Sequence, residues 1–86
     1  MLKGKWGISE LEYQRVLVAQ DHKCAICKTP RAELDRALAV DHDHETGSRR
    51  GLLCGYCNMV IGHLKDDPEI ALAAYKYLMM WKERQR

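Results

Sequence analysis

Two Cys-x-x-Cys pairs, Cys24/Cys27 and Cys54/Cys57, use every cysteine of an 86-residue chain, and they restrict its fold more than any other feature. A domain this small buries too little surface to be secure on its core alone and commonly relies on a metal or on disulfides. A two-residue gap lets both thiolates of a pair reach one ion from a tight turn. Two such pairs complete the tetrahedron of a structural zinc site. The 26 residues between the pairs exceed the ~15 to 20 of the usual four-cysteine signature, and a whole hairpin fills the difference. Two disulfides would suit a secreted chain, and a redox pair would not need a twin. The start of the chain is basic and lacks the apolar run of a signal peptide, and no stretch approaches a membrane span. The reading is therefore a structural zinc that fastens residues 24–27 against 54–57 in an intracellular protein with no membrane contact.

Charge narrows the function classes less. The formal charge is +2 with the cysteines counted as thiols, and four thiolates on one Zn²⁺ bring the holo chain to about zero. Only local clusters of Lys and Arg can then argue for nucleic acid. At 47% hydrophobic and 30% charged residues, the chain has the composition of a folded domain rather than a disordered one.

Taken in order, residues 1–8 read as a basic arm with Trp6 as an anchor. Ser9 and Glu12 form a capping-box pattern with Ile8 and Tyr13 as its staple, which predicts a helix over 10–21. Its apolar face is Leu11, Val16 and Leu17, with Ala19 and Gln20 near the end. Residues 31–37 read as a loop or a short helical turn. Leu38-Ala39-Val40 starts a strand that runs into Asp41, residues 45–48 carry turn chemistry, and Arg49 to Cys54 returns. Cys54-Gly-Tyr-Cys57-Asn58 closes the hairpin and opens a short helix through about Leu64. Asp66-Asp67-Pro68-Glu69 signals the start of a last helix over 68–84. On that helix Ile70, Ala74, Tyr77, Leu78 and Trp81 repeat at helical spacing, a pattern that predicts a face packed on the core, with a dimer contact over Tyr77, Met80 and Trp81 also open. Residues 1–86 read as one domain, with residues 24–64 as its zinc-stapled centre.

Asp41-His42-Asp43-His44 and Asn58 carry the chemistry. Asp41 and Asn58 are hard oxygen donors of the kind that hold Mg²⁺, which keeps waters and substrate phosphate as its other ligands. His42 is a natural base near neutral pH, and Arg49 and Arg50 can hold phosphates. These are the parts of a metal-assisted phosphodiester hydrolase. The same Asp-His run is also compatible with a solvated turn, Asp43 with a turn residue, and His22 and His63 with no role beyond structure. In a regular strand Asp41 and His42 point to opposite faces, so the reading requires irregular backbone at 41–44.

Cys24-Ala-Ile-Cys27, Val40-Asp-His-Asp-His44, Thr46-Gly47, Arg50-Gly-Leu-Leu-Cys54, Cys57-Asn58 and Gly62 together resemble the phage recombination endonuclease VII family, within the HNH or His-Me finger nucleases. The resemblance implies a small α+β fold with a ββα-metal unit flanked by helices, and zinc on Cys24, Cys27, Cys54 and Cys57. It implies a catalytic Mg²⁺ or Mn²⁺ on Asp41 and Asn58, His42 as general base, and His44 as an additional active-site histidine at the phosphate. Members of this family cleave DNA, and the best-known ones resolve branched DNA such as four-way junctions as intertwined dimers. The expected partner is therefore DNA, whether duplex, nicked or branched, with monomer and homodimer both open and the cytoplasm, that of a bacterial host if phage-encoded, as the location. The alternative is a non-catalytic zinc module that binds nucleic acid through Arg49 and Arg50.

Overall fold

A computed structural model of the chain describes residues 8–84. The basic arm expected at residues 1–8, Trp6 included, lies outside them except for Ile8. The element order is α1 (Glu10–Ala19), a single 3₁₀ turn (Arg31–Glu33), β1 (Ala39–His42), β2 (Arg49–Leu53), α2 (Gly55–His63) and α3 (Pro68–Arg84). This is the small α+β arrangement expected, with β1 and β2 as an antiparallel hairpin and α2 following directly.

Helix α1 starts where the cap places it: Ser9 Oγ accepts the Glu12 N–H at 3.1 Å. Glu12 does not complete the box with its carboxylate, which takes the Arg49 guanidinium at 2.6 Å instead. The face that packs is Tyr13, Val16, Leu17 and Gln20, a stripe at i, i+3, i+4 and i+7. Leu11 and Ala19, expected on that face, are exposed. The helix ends at Ala19 rather than 21 because Asp21 and His22 both turn left-handed, at φ 59° and 57°, and the His22 N–H closes onto Leu17 O at 2.8 Å. Tyr13 then ties α1 to the hairpin, its hydroxyl donating to Leu38 O at 2.6 Å.

The hairpin is short and irregular. Val40 pairs with Leu52 and His42 with Arg49, so Asp41 on β1 faces two residues, Arg50 and Gly51, on β2. That is a β-bulge, the departure from the pleat that the Asp41/His42 reading required. Among the described residues no third strand lies at the outer edge of Leu52, and side-chain and loop groups take that place. Its N–H donates to Gln20 Oε1 at 2.9 Å, while its carbonyl accepts from Gln20 Nε2 at 3.0 Å and Ala25 N–H at 3.1 Å. Ile8, Leu17, Leu38, Val40, Leu52 and Leu53 form the buried core together with Cys24, Cys54 and Cys57.

Helix α2 begins at Gly55, within the Cys54–Asn58 segment expected to open it, because Cys54 caps it: its Sγ accepts the Cys57 N–H at 3.4 Å. After α2, Lys65 and Asp66 are both left-handed at φ 57°, and the Asp66 N–H closes onto Ile61 O at 3.2 Å. The same two-residue ending thus stops α1 and α2. Asp67 caps α3, its Oδ1 accepting from the Glu69 N–H at 2.9 Å.

The expectation that α3 packs on the core is not met. No residue of α3 is buried, with Leu78 58% and Trp81 43% exposed, and α3 packs against none of the other elements. The left-handed pair at 65–66 ends α2 before α3 begins, and the molecule is extended, 53 × 31 × 20 Å. Tyr77 and Trp81 meet edge to face at 6.4 Å, and Arg84 lies over the Trp81 ring at 5.4 Å, so the aromatic side chains contact their own helix. Among the described residues no helix is long and apolar enough to cross a membrane.

Candidate functional site

The four cysteines converge as the paired spacing requires. Their sulfurs all lie within 4.8 Å of one another, and Cys27 Sγ and Cys54 Sγ are 3.8 Å apart. Tetrahedral thiolates at a Zn–S distance of ~2.3 Å sit about 3.8 Å from each other, so the donor set suits zinc; none of the four is in a disulfide. Local backbone builds this cluster. The Lys28 N–H closes the first knuckle onto Cys24 O at 3.1 Å, with Lys28 at φ 66°. The second knuckle is the capped first turn of α2.

The electrostatics of the cluster favour a cation. Burial opposes the Cys24 thiolate, but the N–H groups of Cys54, Cys27 and Ile26 outweigh it and bring its pKa from 9.0 down to about 6. Burial and the neighbouring sulfurs push Cys57 up to about 12. Thr29, whose Oγ1 lies 3.1 Å from Cys27 Sγ, lowers the Cys27 pKa. Sulfurs this close cannot all be thiolates without a compensating charge, which a metal dication supplies.

Next to the cluster, the hairpin and α2 enclose a depression of about 540 Å³. Asp41, His42, Asp43 and His44 line one side of it, and Asn58, Ile61 and Gly62 of α2 the other. The bulge lets both Asp41 and His42 reach the same hollow. Asp43 serves the turn: its Oδ1 accepts the N–H groups of Glu45 at 2.8 Å and Thr46 at 3.2 Å, while its carbonyl takes the N–H of Gly47, at φ 77°. His44 is thereby presented on a fixed turn.

A chain of charges runs along the edge of the hollow. Arg50 grips Asp41 with both arms of its fork, Nε to Oδ2 at 2.5 Å and an Nη to Oδ1 at 3.0 Å. The same Nη reaches Asp66 Oδ1 at 3.2 Å, and Asp66 Oδ2 lies 3.0 Å from His44 Nδ1. Asp41 and then Asp66 raise the Arg50 pKa further, and the Arg50 hydrogen bond holds the Asp66 carboxyl below its usual range. Arg49 projects elsewhere, to Glu12 of α1, so the two arginines stand apart.

Asp41, His42, His44 and Asn58 therefore share one hollow, with Arg50 at its edge and Arg49 away from it. Asp66 belongs to this group although the sequence reading used it only as part of the α3 start signal. The hint lay in the doubled Asp66-Asp67 before Pro68, since one aspartate suffices to cap a helix. His22 contributes its backbone carbonyl, which accepts the Arg31 N–H at 2.8 Å, and His63 lies in the last turn of α2.

Fold and site together define a small α+β domain in which a four-cysteine cluster able to hold a metal lies beside a hairpin and helix that bring Asp41, His42 and Asn58 together. The chain belongs to the recombination endonuclease VII family, whose model matches residues 1–80. It is 40% identical over 74 residues to the Gene 59 protein of Mycobacterium phage D29, a match that covers 85% of this chain and 44% of that relative. The Gene 59 protein of Mycobacterium phage L5 matches at 40% over 75 residues, 86% of this chain and 45% of the relative. The chain spans less than half the length of these relatives.

Proposed function

We propose that this chain is a zinc-stapled, divalent-metal-dependent DNA endonuclease of the HNH type. The observation that supports it best is the meeting of Asp41, His42, His44 and Asn58 in one hollow, in a chain of an endonuclease family. Asp41 and Asn58 offer the hard oxygen donors that Mg²⁺ or Mn²⁺ prefers, one from the strand and one from α2. A bound ion there would stabilise charge on the phosphate and the leaving oxygen. His42 takes the proton of the attacking water, and His44 contacts the phosphate. Arg50, already at the edge of the hollow, turns from Asp41 to the substrate phosphate, for which its fork is shaped. The cysteine cluster holds the hairpin and α2 in register, which fixes Asn58 relative to Asp41.

The test is strand cleavage of supercoiled plasmid and of a synthetic four-way junction by zinc-loaded protein, with and without added Mg²⁺ or Mn²⁺. Wild type should cut only with added metal. His42→Ala should lose ~10²- to 10⁴-fold in rate, the usual contribution of a general base, while retaining zinc and fold. A folded His42→Ala protein that cuts normally removes the base assignment. Binding of DNA without metal-dependent cleavage by wild type replaces the enzyme with a non-catalytic nucleic-acid-binding module, and the junction-to-plasmid rate ratio reports whether branched DNA is preferred.

A further inference from the structure

A DNA strand held at the hollow by one phosphate carries further charges on either side, and the surface beside the hollow decides where its neighbours can lie. Among the described residues, three neighbouring depressions share lining residues with it. The first shares Asp41 and Ile61 and extends to Pro68 and Ala71 of α3; even with Asp41 set aside, Asp66 and Asp67 there outnumber Arg50. The second shares Asp43 and His44 and sets Asp43, Glu45 and Asp66 against Arg50 and Lys65. Both oppose a polyanion. The third, of about 470 Å³, shares Asn58 and is lined by the 34–37 segment and the first turns of α2. Its two charged residues, Asp35 and Arg36, balance, and Leu34, Ala39 and Met59 make much of the rest apolar. A neutral, largely apolar groove suits a nucleobase rather than a phosphate.

The groove starts at Asn58 and passes Gly55 and Met59 to Tyr56 as it turns about α2. Gly55 leaves its floor bare. No positive φ requires glycine at this position, and a Cβ built there would meet nothing within 4 Å, so the backbone is open to close approach by a ligand. Tyr56 stands at the far end, 80% exposed, and among the described residues its hydroxyl makes no hydrogen bond and its ring meets no other ring. Tyr13, by contrast, is tied to Leu38 O, and Tyr77 to Trp81. Met59 beside Tyr56 is also 58% exposed. A flat ring with no partner, at the end of a neutral groove that opens from Asn58, is a platform on which a base can stack. Bases inside a duplex have both faces covered by their neighbours, so the base that fits is an unpaired one.

Resting on the endonuclease reading above, we propose that the groove from Asn58 to Tyr56 holds an unpaired base of the DNA strand being cut, stacked on the Tyr56 ring and passing over the bare backbone of Gly55. Such stacking is tolerant of sequence, because every base has a π-face.

The test is binding of a fluorescein-labelled single-stranded oligonucleotide, and of its fully paired duplex, to zinc-loaded protein without added Mg²⁺ or Mn²⁺, read by fluorescence anisotropy at one fixed salt concentration. For the single strand, Tyr56→Ala should raise Kd ~5- to 150-fold, the loss of one base–aromatic stack. Tyr56→Phe, which keeps the ring, should match wild type. Gly55→Met, which lays a side chain across the groove, should also weaken the single strand. On the duplex, Tyr56→Ala should change Kd far less. Tyr75→Ala, which removes an exposed tyrosine of α3, should leave both unchanged, and circular dichroism and zinc content should match wild type throughout. Unchanged single-strand binding by Tyr56→Ala or by Gly55→Met overturns the proposal. So do equal losses on single strand and duplex, or a Tyr56→Phe loss as large as that of Tyr56→Ala. A wild type that cuts no DNA with either added metal, yet binds the single strand through Tyr56, removes the endonuclease reading and leaves the groove supported as a site for unpaired bases.

Discussion

Replacing Gln20 by Ala should be among the most damaging single changes outside the cysteines, although Gln20 is neither apolar nor near the hollow. Its side-chain amide stands in for a missing third strand. It accepts the Leu52 N–H at 2.9 Å and donates to Leu52 O at 3.0 Å and Lys23 O at 2.8 Å. Leu52 is 1% exposed, so water cannot readily take over its N–H. A buried donor left without an acceptor costs about 1–3 kcal/mol. The Leu52 carbonyl is less affected, because Ala25 N–H remains on it at 3.1 Å. We expect a loss of roughly 2–3 kcal/mol in all, which for a domain of this size lowers the melting temperature by roughly 8–24 °C. Thermal and urea melts followed by far-ultraviolet circular dichroism, at one fixed free-zinc concentration, measure it. Gln20→Glu should also destabilise, since a carboxylate keeps an acceptor for the N–H but meets two carbonyl oxygens without a proton to offer. A loss below ~0.5 kcal/mol for Gln20→Ala, the range of ordinary surface changes, would refute the reasoning.

Three further outcomes follow from the same geometry. Stripping the metal with a strong chelator should unfold the hairpin and α2 together rather than loosen the knuckles alone, because Cys24, Cys54 and Cys57 are themselves core residues and structural zinc contributes ~10–16 kcal/mol; amide exchange of Val40 and Leu52 with and without chelator checks this. Leu78→Ala on α3 should change stability by no more than ~0.5 kcal/mol, against the several kcal/mol of a core leucine, as measured by urea melts. The Asp66 carboxyl has its folded pKa depressed below the ordinary 3.8, so its contribution is present at pH above that value and is lost as pH falls through the folded pKa. Acid titration of stability should accordingly be shallower at its low-pH end in Asp66→Asn than in wild type.

The helix caps, the hairpin and the cysteine cluster were legible in the sequence because each rests on local rules. Ser9, Asp67-Pro68 and the paired cysteines specify their neighbours within a few residues. What was not legible depends on meetings across the chain. Gln20 reads as the polar end of a helix, and nothing at positions 18–22 reveals that a strand 32 residues later lacks a partner. The apolar repeat of α3 was read correctly as a repeat, but periodicity states only that a face exists, not that anything lies against it. The centre shows both cases. A need for irregular backbone at 41–44 could be deduced from alternation alone, whereas the partner of each arginine could not, since it depends on which strand carries the extra residue.

That extra residue makes the hairpin sensitive to length in a way it is not sensitive to side-chain identity. With one residue fewer on β2, regular pairing outward from Val40 and Leu52 would place one of two different neighbours opposite Asp41. Removing Gly51 would still leave Arg50 there, but removing Arg50 would set Gly51 against the carboxylate and leave it with no cation. Counting from the turn instead, Arg49 pairs with His42 and Arg50 comes next to serve Asp41, so Gly51 is the residue that the bulge takes up. Substitutions along 49–51 can therefore tune the charge around the centre one group at a time. An insertion or deletion there would rewire several contacts in one step.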